Sequence, residues 1–177
     1  MSLARFWSSF KLLNLSNPAG DRILFRSVRD RKIESILEVN VGTGSRCERL
    51  LPWLREQAEL ETIRYAAVDP FETGGGEHIA LKEFHSRLGR LGAKPLPVPN
   101  TGNLGTALAR VAHTIGAVDL AIFDCDRSEL QANATLAVLP RIICPETLVL
   151  VRKCSSEGLE LVTAAELSNP SSVKIAA

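Results

Sequence analysis

The residues best placed to do chemistry lie in LEVNVGTGSR, from Leu37 to Arg46. An acid, Glu38, is followed by Gly42 and Gly44, where an apolar run gives way to a helical one. Glycine lets the main chain take positive φ and approach a ligand closely. The helix beyond presents free N–H groups with a partial positive charge. Such a loop at the carboxyl edge of a parallel sheet is where open α/β folds bind ligands. A tight strand-to-helix turn with no ligand satisfies the same ten residues.

Two further acids close apolar runs. Asp69 ends YAAVDPFE, where a carboxylate can accept from both hydroxyls of a ribose; it could equally cap the next helix or face solvent. Asp124 and Asp126, in IFDCDRS, close a later run and would face the same edge as Gly42 and Asp69.

The elements that must position these residues alternate in period. Ile33 to Val39, Arg64 to Val68, Pro95 to Val98, Val118 to Phe123 and Thr147 to Val151 are short, nearly continuous apolar runs, as strands covered on both faces tend to be. Cys47, Leu50, Leu51 and Leu54 make one helical stripe between the first two. Leu81, Phe84, Leu88 and Leu91 make a second, and Leu104, Leu108, Val111 and Ile115 a third. This is the pattern of a three-layer α/β fold with a doubly wound, mostly parallel sheet. Strand patterns at Leu159 to Val162 and Val173 to Ala176, broken by Asn169-Pro170, fit a closing C-terminal antiparallel hairpin.

Glu38, Gly42, Gly44 and Asp69 together resemble the class I S-adenosylmethionine-dependent methyltransferases, whose first motif runs acid-x-Gly-x-Gly-x-Gly at this point. The resemblance covers Ile33 to about Lys153 and implies a Rossmann-like domain, placed over residues 33–177; the basic stretch before it, residues 1–32, reads as a helical segment. It implies that the glycine loop lies against the amino acid and sugar of S-adenosylmethionine, that Asp69 binds the ribose, and that Asn100 lies near the adenine. Asn40 stands where the family has its first glycine. Asparagine tolerates left-handed backbone, but its side chain would stand near the methionine end of the cofactor.

Methyl transfer is an in-line displacement from a sulfonium, so alignment of donor and acceptor matters most and a base is needed only when the acceptor holds its proton. Asp124 is the expected catalytic residue; capping the next helix or contacting the cofactor are its other readings. It is similar to the aspartate with which small-molecule O-methyltransferases help hold a divalent metal. VRKCSSEG follows the fifth strand here in place of that branch's Asp-Asn pair, so no metal is expected. The fourth strand also lacks the Asn-Pro-Pro-Tyr type of sequence used on amino groups of bases or glutamine. The expected acceptor is a small molecule.

A nicotinamide or flavin fingerprint, G-x-G-x-x-G, would align Gly42, Gly44 and Cys47, and Cys47 is too large for the third position. No G-x-x-x-x-G-K-[ST] occurs. A non-catalytic binding or interaction module on the same fold is the alternative, favoured by Asn40 and the missing metal partners. It would use Phe6, Trp7 and Phe10 as a patch. His85 reads as a surface or half-buried residue rather than a catalytic one, and Gly74-Gly75-Gly76 as a mobile loop over the site.

Composition bounds the remaining classes. The chain has 177 residues, 45% hydrophobic and 23% charged, with net charge +1 and pI near 7.7. That is one ordinary globular domain with no global signature of a nucleic-acid or anionic-membrane partner. Between Met1 and Lys32 basic residues from Arg5 to Lys32 outnumber Asp21 and Asp30; a solvated helical face on the sheet edge explains them better than a docking surface. No apolar run suits a signal peptide or a membrane span, so a cytoplasmic protein is expected. Cys47, Cys125, Cys144 and Cys154 include no C-x-x-C pair, which argues against zinc and structural disulfides. No pattern indicates an oligomeric state.

Overall fold

The apolar runs pair into one six-stranded sheet. A computed structural model describes residues 12, 19–58, 60–74, 78–153 and 158–168. The strands are Ser35–Val39 (β1), Ile63–Asp69 (β2), Ala93–Pro99 (β3), Leu120–Phe123 (β4), Leu148–Arg152 (β5) and Leu159–Val162 (β6), in the order β3-β2-β1-β4-β5-β6. The first five run parallel and β6 pairs antiparallel with β5. The fold is therefore α/β and Rossmann-like, doubly wound, with an antiparallel C-terminal edge. The antiparallel partner of Leu159–Val162 is β5; Val173 to Ala176 lies outside the described residues.

Local chemistry explains the order. In β1 all five residues are buried, as a central strand requires. In β3, Pro95, Pro97 and Pro99 recur at every second position, so their missing N–H groups all fall on one side of the strand. That side can only be an unpaired edge, and β3 is the edge strand beside β2.

Side chains alternate between two cores. Ile36, Tyr65, Ala67, Ile122 and Leu150 face the layer of helices Arg22–Val28 (α1), Ser45–Ala58 (α2) and Leu81–Arg90 (α3). Leu37, Val39, Val68, Phe123 and Val151 face Leu104–Thr114 (α4), Arg127–Gln131 (α5) and Asn133–Leu136 (α6). Ala164–Ser168 (α7) follows β6 and packs Leu167 on the second core. Cys47, Leu50, Leu51 and Leu54 are all buried, so the first helical stripe faces the sheet.

The end of the N-terminal segment packs into the first core. Leu24, Phe25 and Val28 of α1 are fully buried, and Phe25 meets Trp53 edge-on at 5.6 Å. Phe6, Trp7 and Phe10 lie outside the described residues, as do Gly75 and Gly76. No described helix is long and apolar enough to cross a membrane.

Candidate functional site

The chain reverses direction across the sheet between β1 and β4, and a crevice opens there at the carboxyl edge. The glycine loop forms one lip of this crevice. Asn40 takes φ 60°, Gly42 φ 56° and Gly44 φ 74°, so three of five successive residues are left-handed. Asn40 holds its turn with two bonds. Its backbone N donates to the Val68 carbonyl at 2.8 Å, and its side-chain Nδ2 donates to the Asp124 carbonyl at 3.0 Å.

The two glycines differ in their surroundings. A Cβ on Gly44 would stand 3.2 Å from the Phe84 ring and 3.4 Å from Arg87, so α3 packs where a side chain would be. Arg87 also donates from Nη1 to the Thr43 carbonyl at 2.9 Å and closes the loop from behind. A Cβ on Gly42 would meet nothing within 4 Å, because Gly42 faces open space. That space is a cavity of about 510 Å³ lined by the loop, by Ser45, Arg46 and Arg49 of α2, and by Asp21, Pro70, His78, Asp124 and Arg152.

Arg46 organises the floor of the cavity. Its Nε donates to Asp21 at 3.1 Å, Nη1 to Glu38 at 2.5 Å and Nη2 to Asp124 at 2.9 Å. One guanidinium thus joins the N-terminal segment, β1 and the end of β4. Arg49 pairs with the same Asp21. Glu38 is fully buried, and its other oxygen accepts from the Tyr65 hydroxyl. Burial raises the Glu38 carboxyl above its ordinary value, against the opposing pull of the Arg46 charge and the Tyr65 and Arg46 hydrogen bonds. Burial works against Arg46 too, but Glu38, Asp21 and Asp124 outweigh it and hold the guanidinium firmly protonated.

Asp124 carries a second arginine. Arg152 Nε donates to its carboxylate at 2.8 Å and Arg152 Nη2 to its backbone carbonyl at 2.8 Å. Burial alone would raise the Asp124 carboxyl; the Arg46 and Arg152 charges and hydrogen bonds prevail and lower it. A carboxylate so held is a fixed negative charge and a weak proton acceptor.

Asp69 stands beside this floor with no exposed surface. Its Oδ2 accepts from the Gly42 N–H at 3.1 Å, and its Oδ1 accepts from the Phe71 N–H at 2.6 Å. Oδ1 also lies 3.0 Å from His78 Nδ1. Asn100 is nearly buried: its backbone N donates to the Asp69 carbonyl at 2.9 Å and its Oδ1 accepts from Gly102 N at 3.2 Å. Asn100 and Asp69 adjoin the loop but do not line the cavity, whereas Asn40, Gly42 and Asp124 do. Among the described residues no cluster of three or more His, Cys, Asp and Glu side chains is arranged to hold a metal ion.

No family model and no curated protein matches the chain. Solved structures do. The MycE methyltransferase from the mycinamycin biosynthetic pathway, in complex with Mg and SAH, aligns at 18% identity and a TM-score of 0.47 over 85% of this chain and 35% of its own. The SAH-bound Podospora anserina methyltransferase PaMTH1 aligns at 14% identity and 0.47, over 85% and 62%. MNMC2 from Aquifex aeolicus aligns at 15% and 0.48, over 80% and 49%. These are likenesses of fold. The chain spans less than two thirds of the length of each.

Arg46, Asp21, Arg152 and His78 were not among the residues singled out by sequence. Two of them had a signal: Arg46 directly follows the glycine loop in the first turn of α2, and Arg152 ends β5 as Asp124 follows the end of β4. Nothing local marks Asp21 or His78. His85, read as a surface or half-buried residue, is exposed.

Proposed function

We propose that the chain binds S-adenosylmethionine and acts as a methyltransferase on a small-molecule acceptor. The observation that supports this best is the open face of Gly42. Its left-handed backbone borders a cavity of a size suited to one small ligand, and its N–H is tied to the acid that ends the neighbouring strand. Asn40 and Gly42 would border the amino acid and sugar end, with Glu38 acting from behind through Arg46 and Gly44 keeping the loop close to Phe84; Asp69 would take the ribose and Asn100 the adenine side. Asn40 leaves room for this, because its amide is turned aside onto the Asp124 carbonyl.

When bound, the cofactor supplies an electrophilic methyl group on a sulfonium. The chain's own residues would align the acceptor, exclude water and fix charge. We assign Asp124 the role of positioning residue at the acceptor side, because Arg46 and Arg152 occupy its carboxylate. The acceptors that suit such a site are those attacking without loss of a proton in the transition state, or arriving already ionised.

Calorimetric titration with S-adenosylmethionine and S-adenosylhomocysteine, with NAD as control, tests the assignment. Micromolar binding of either sulfur ligand, abolished by Asp69→Ala, is expected. Absence of binding at millimolar concentration would remove the cofactor from the reading. In that case the second reading, a binding module on a methyltransferase-like fold, takes its place, favoured by the engagement of Asp124 with two arginines.

A further inference from the structure

His78 stands outside every motif in the sequence, yet it is bonded to a fully buried acid of the site, Asp69. Asp69 has three donors, and they are not equivalent. The Gly42 and Phe71 N–H groups belong to the backbone of the two loops that Asp69 ties together. Phe71 is itself left-handed, at φ 50°, in a turn closed by Thr73 N on the Pro70 carbonyl at 3.2 Å and Gly74 N on the Phe71 carbonyl at 3.1 Å. Neither amide can leave Asp69 without unwinding its loop.

The third donor is a side chain. His78 lines the cavity beside Gly42 and Pro70 and is 24% exposed. Facing a carboxylate oxygen, its Nδ1 carries the proton. The backbone next to it is anchored, since Ile79 N donates to the Gly42 carbonyl at 2.9 Å. The imidazole can therefore rotate off Asp69 while the main chain stays in place. A sugar hydroxyl is also a hydrogen-bond donor, so exchanging imidazole for hydroxyl keeps the buried carboxylate satisfied throughout.

We propose that His78 is an internal occupant of the sugar position on Asp69, which the ribose of a bound nucleoside must displace. This rests on the cofactor reading above and adds a competition inside the same site. Ligand affinity is reduced by the fraction of molecules in which the imidazole has left.

The test compares S-adenosylhomocysteine binding to the intact chain and to His78→Ala, with melting curves to establish that both are folded. In parallel, nitrogen NMR of the histidine side chains reports which ring nitrogen of His78 is protonated. His78→Ala is expected to bind about tenfold tighter, as it would if the open form were about a tenth of the population. The Nδ1–H signature of His78 in the free protein is expected to vanish on saturation with S-adenosylhomocysteine. Equal or weaker binding by His78→Ala, or an Nδ1–H signature that persists in the saturated protein, overturns the competition while leaving the cofactor reading intact. Absence of binding to both proteins removes the cofactor reading, and the competition falls with it.

Discussion

Arg46 and Asp124 meet at 2.9 Å although 78 positions separate them in the chain, and the same guanidinium reaches Glu38 at 2.5 Å. The candidate site is thereby built on a buried charge network.

Breaking that network from its centre should be costly. Arg46→Ala leaves Glu38 buried without its cation, a change of about 3–5 kcal/mol for a buried pair that loses one partner. The companion Arg46→Met with Glu38→Gln removes both charges and should recover a large part of the loss. Urea unfolding of the three proteins measures this, and a double variant no more stable than Arg46→Ala would show that the pairing is not what matters.

Tyr65 offers a smaller probe of the same acid. Its hydroxyl donates to Glu38 inside the core, and hydrogen bonds to charged groups contribute about 1.5–3 kcal/mol. Tyr65→Phe should lose stability in that range while keeping the ring against Phe84, which it meets edge-on at 6.3 Å.

The two loop glycines should separate stability from binding. Gly42→Ala carries only the strain of a left-handed alanine, about 1–2 kcal/mol. Gly44→Ala adds a Cβ against Phe84, and overpacking typically costs a further ~1–3 kcal/mol. Thermal melts should therefore rank Gly44→Ala below Gly42→Ala, whereas Gly42→Ala, whose Cβ enters the cavity, should weaken S-adenosylhomocysteine binding out of proportion to its stability loss.

Acid should act on the site through Asp124. Its carboxyl is held below the ordinary 3.8, so its contribution to stability is fully present above that value and is lost as pH falls through the lower folded-state value. Unfolding measured from pH 5 downward should show Asp124→Asn losing less stability on acidification than the intact chain. Parallel curves would mean the two arginines do not perturb this carboxyl.

The buried thiols should be inert. Burial pushes Cys47 and Cys125 up to about 12, and Cys47 Sγ also donates to the Gly44 carbonyl. Alkylation of the folded protein at pH 8, read by mass spectrometry, should spare both, and modification of either without unfolding would contradict the burial.

How much of this was legible depends on how far apart the contributing residues are. The strand runs, the helical stripes and the glycine loop are local patterns, and their periods survive in any chain that buries one face. Hence Cys47, Leu50, Leu51 and Leu54 emerged on one buried face, and Asn40, Gly42 and Gly44 in left-handed backbone. The edge position of β3 was equally implicit in its alternating prolines, although it takes the pairing to reveal it.

What the charges do was decided only by the tertiary structure. Asp69 and Asp124 are placed at strand ends by local sequence. Their partners His78, Arg46 and Arg152 arrive from other elements, brought together by the strand order β2-β1-β4-β5. A carboxylate's chemistry is set by which donors surround it and by its access to water. Those are distances between segments remote in sequence, which composition and spacing do not contain. The sequence by itself therefore determined the scaffold and the loop. The fold determined that one acid is neutralised by two arginines and the other is held by a histidine on the cavity wall.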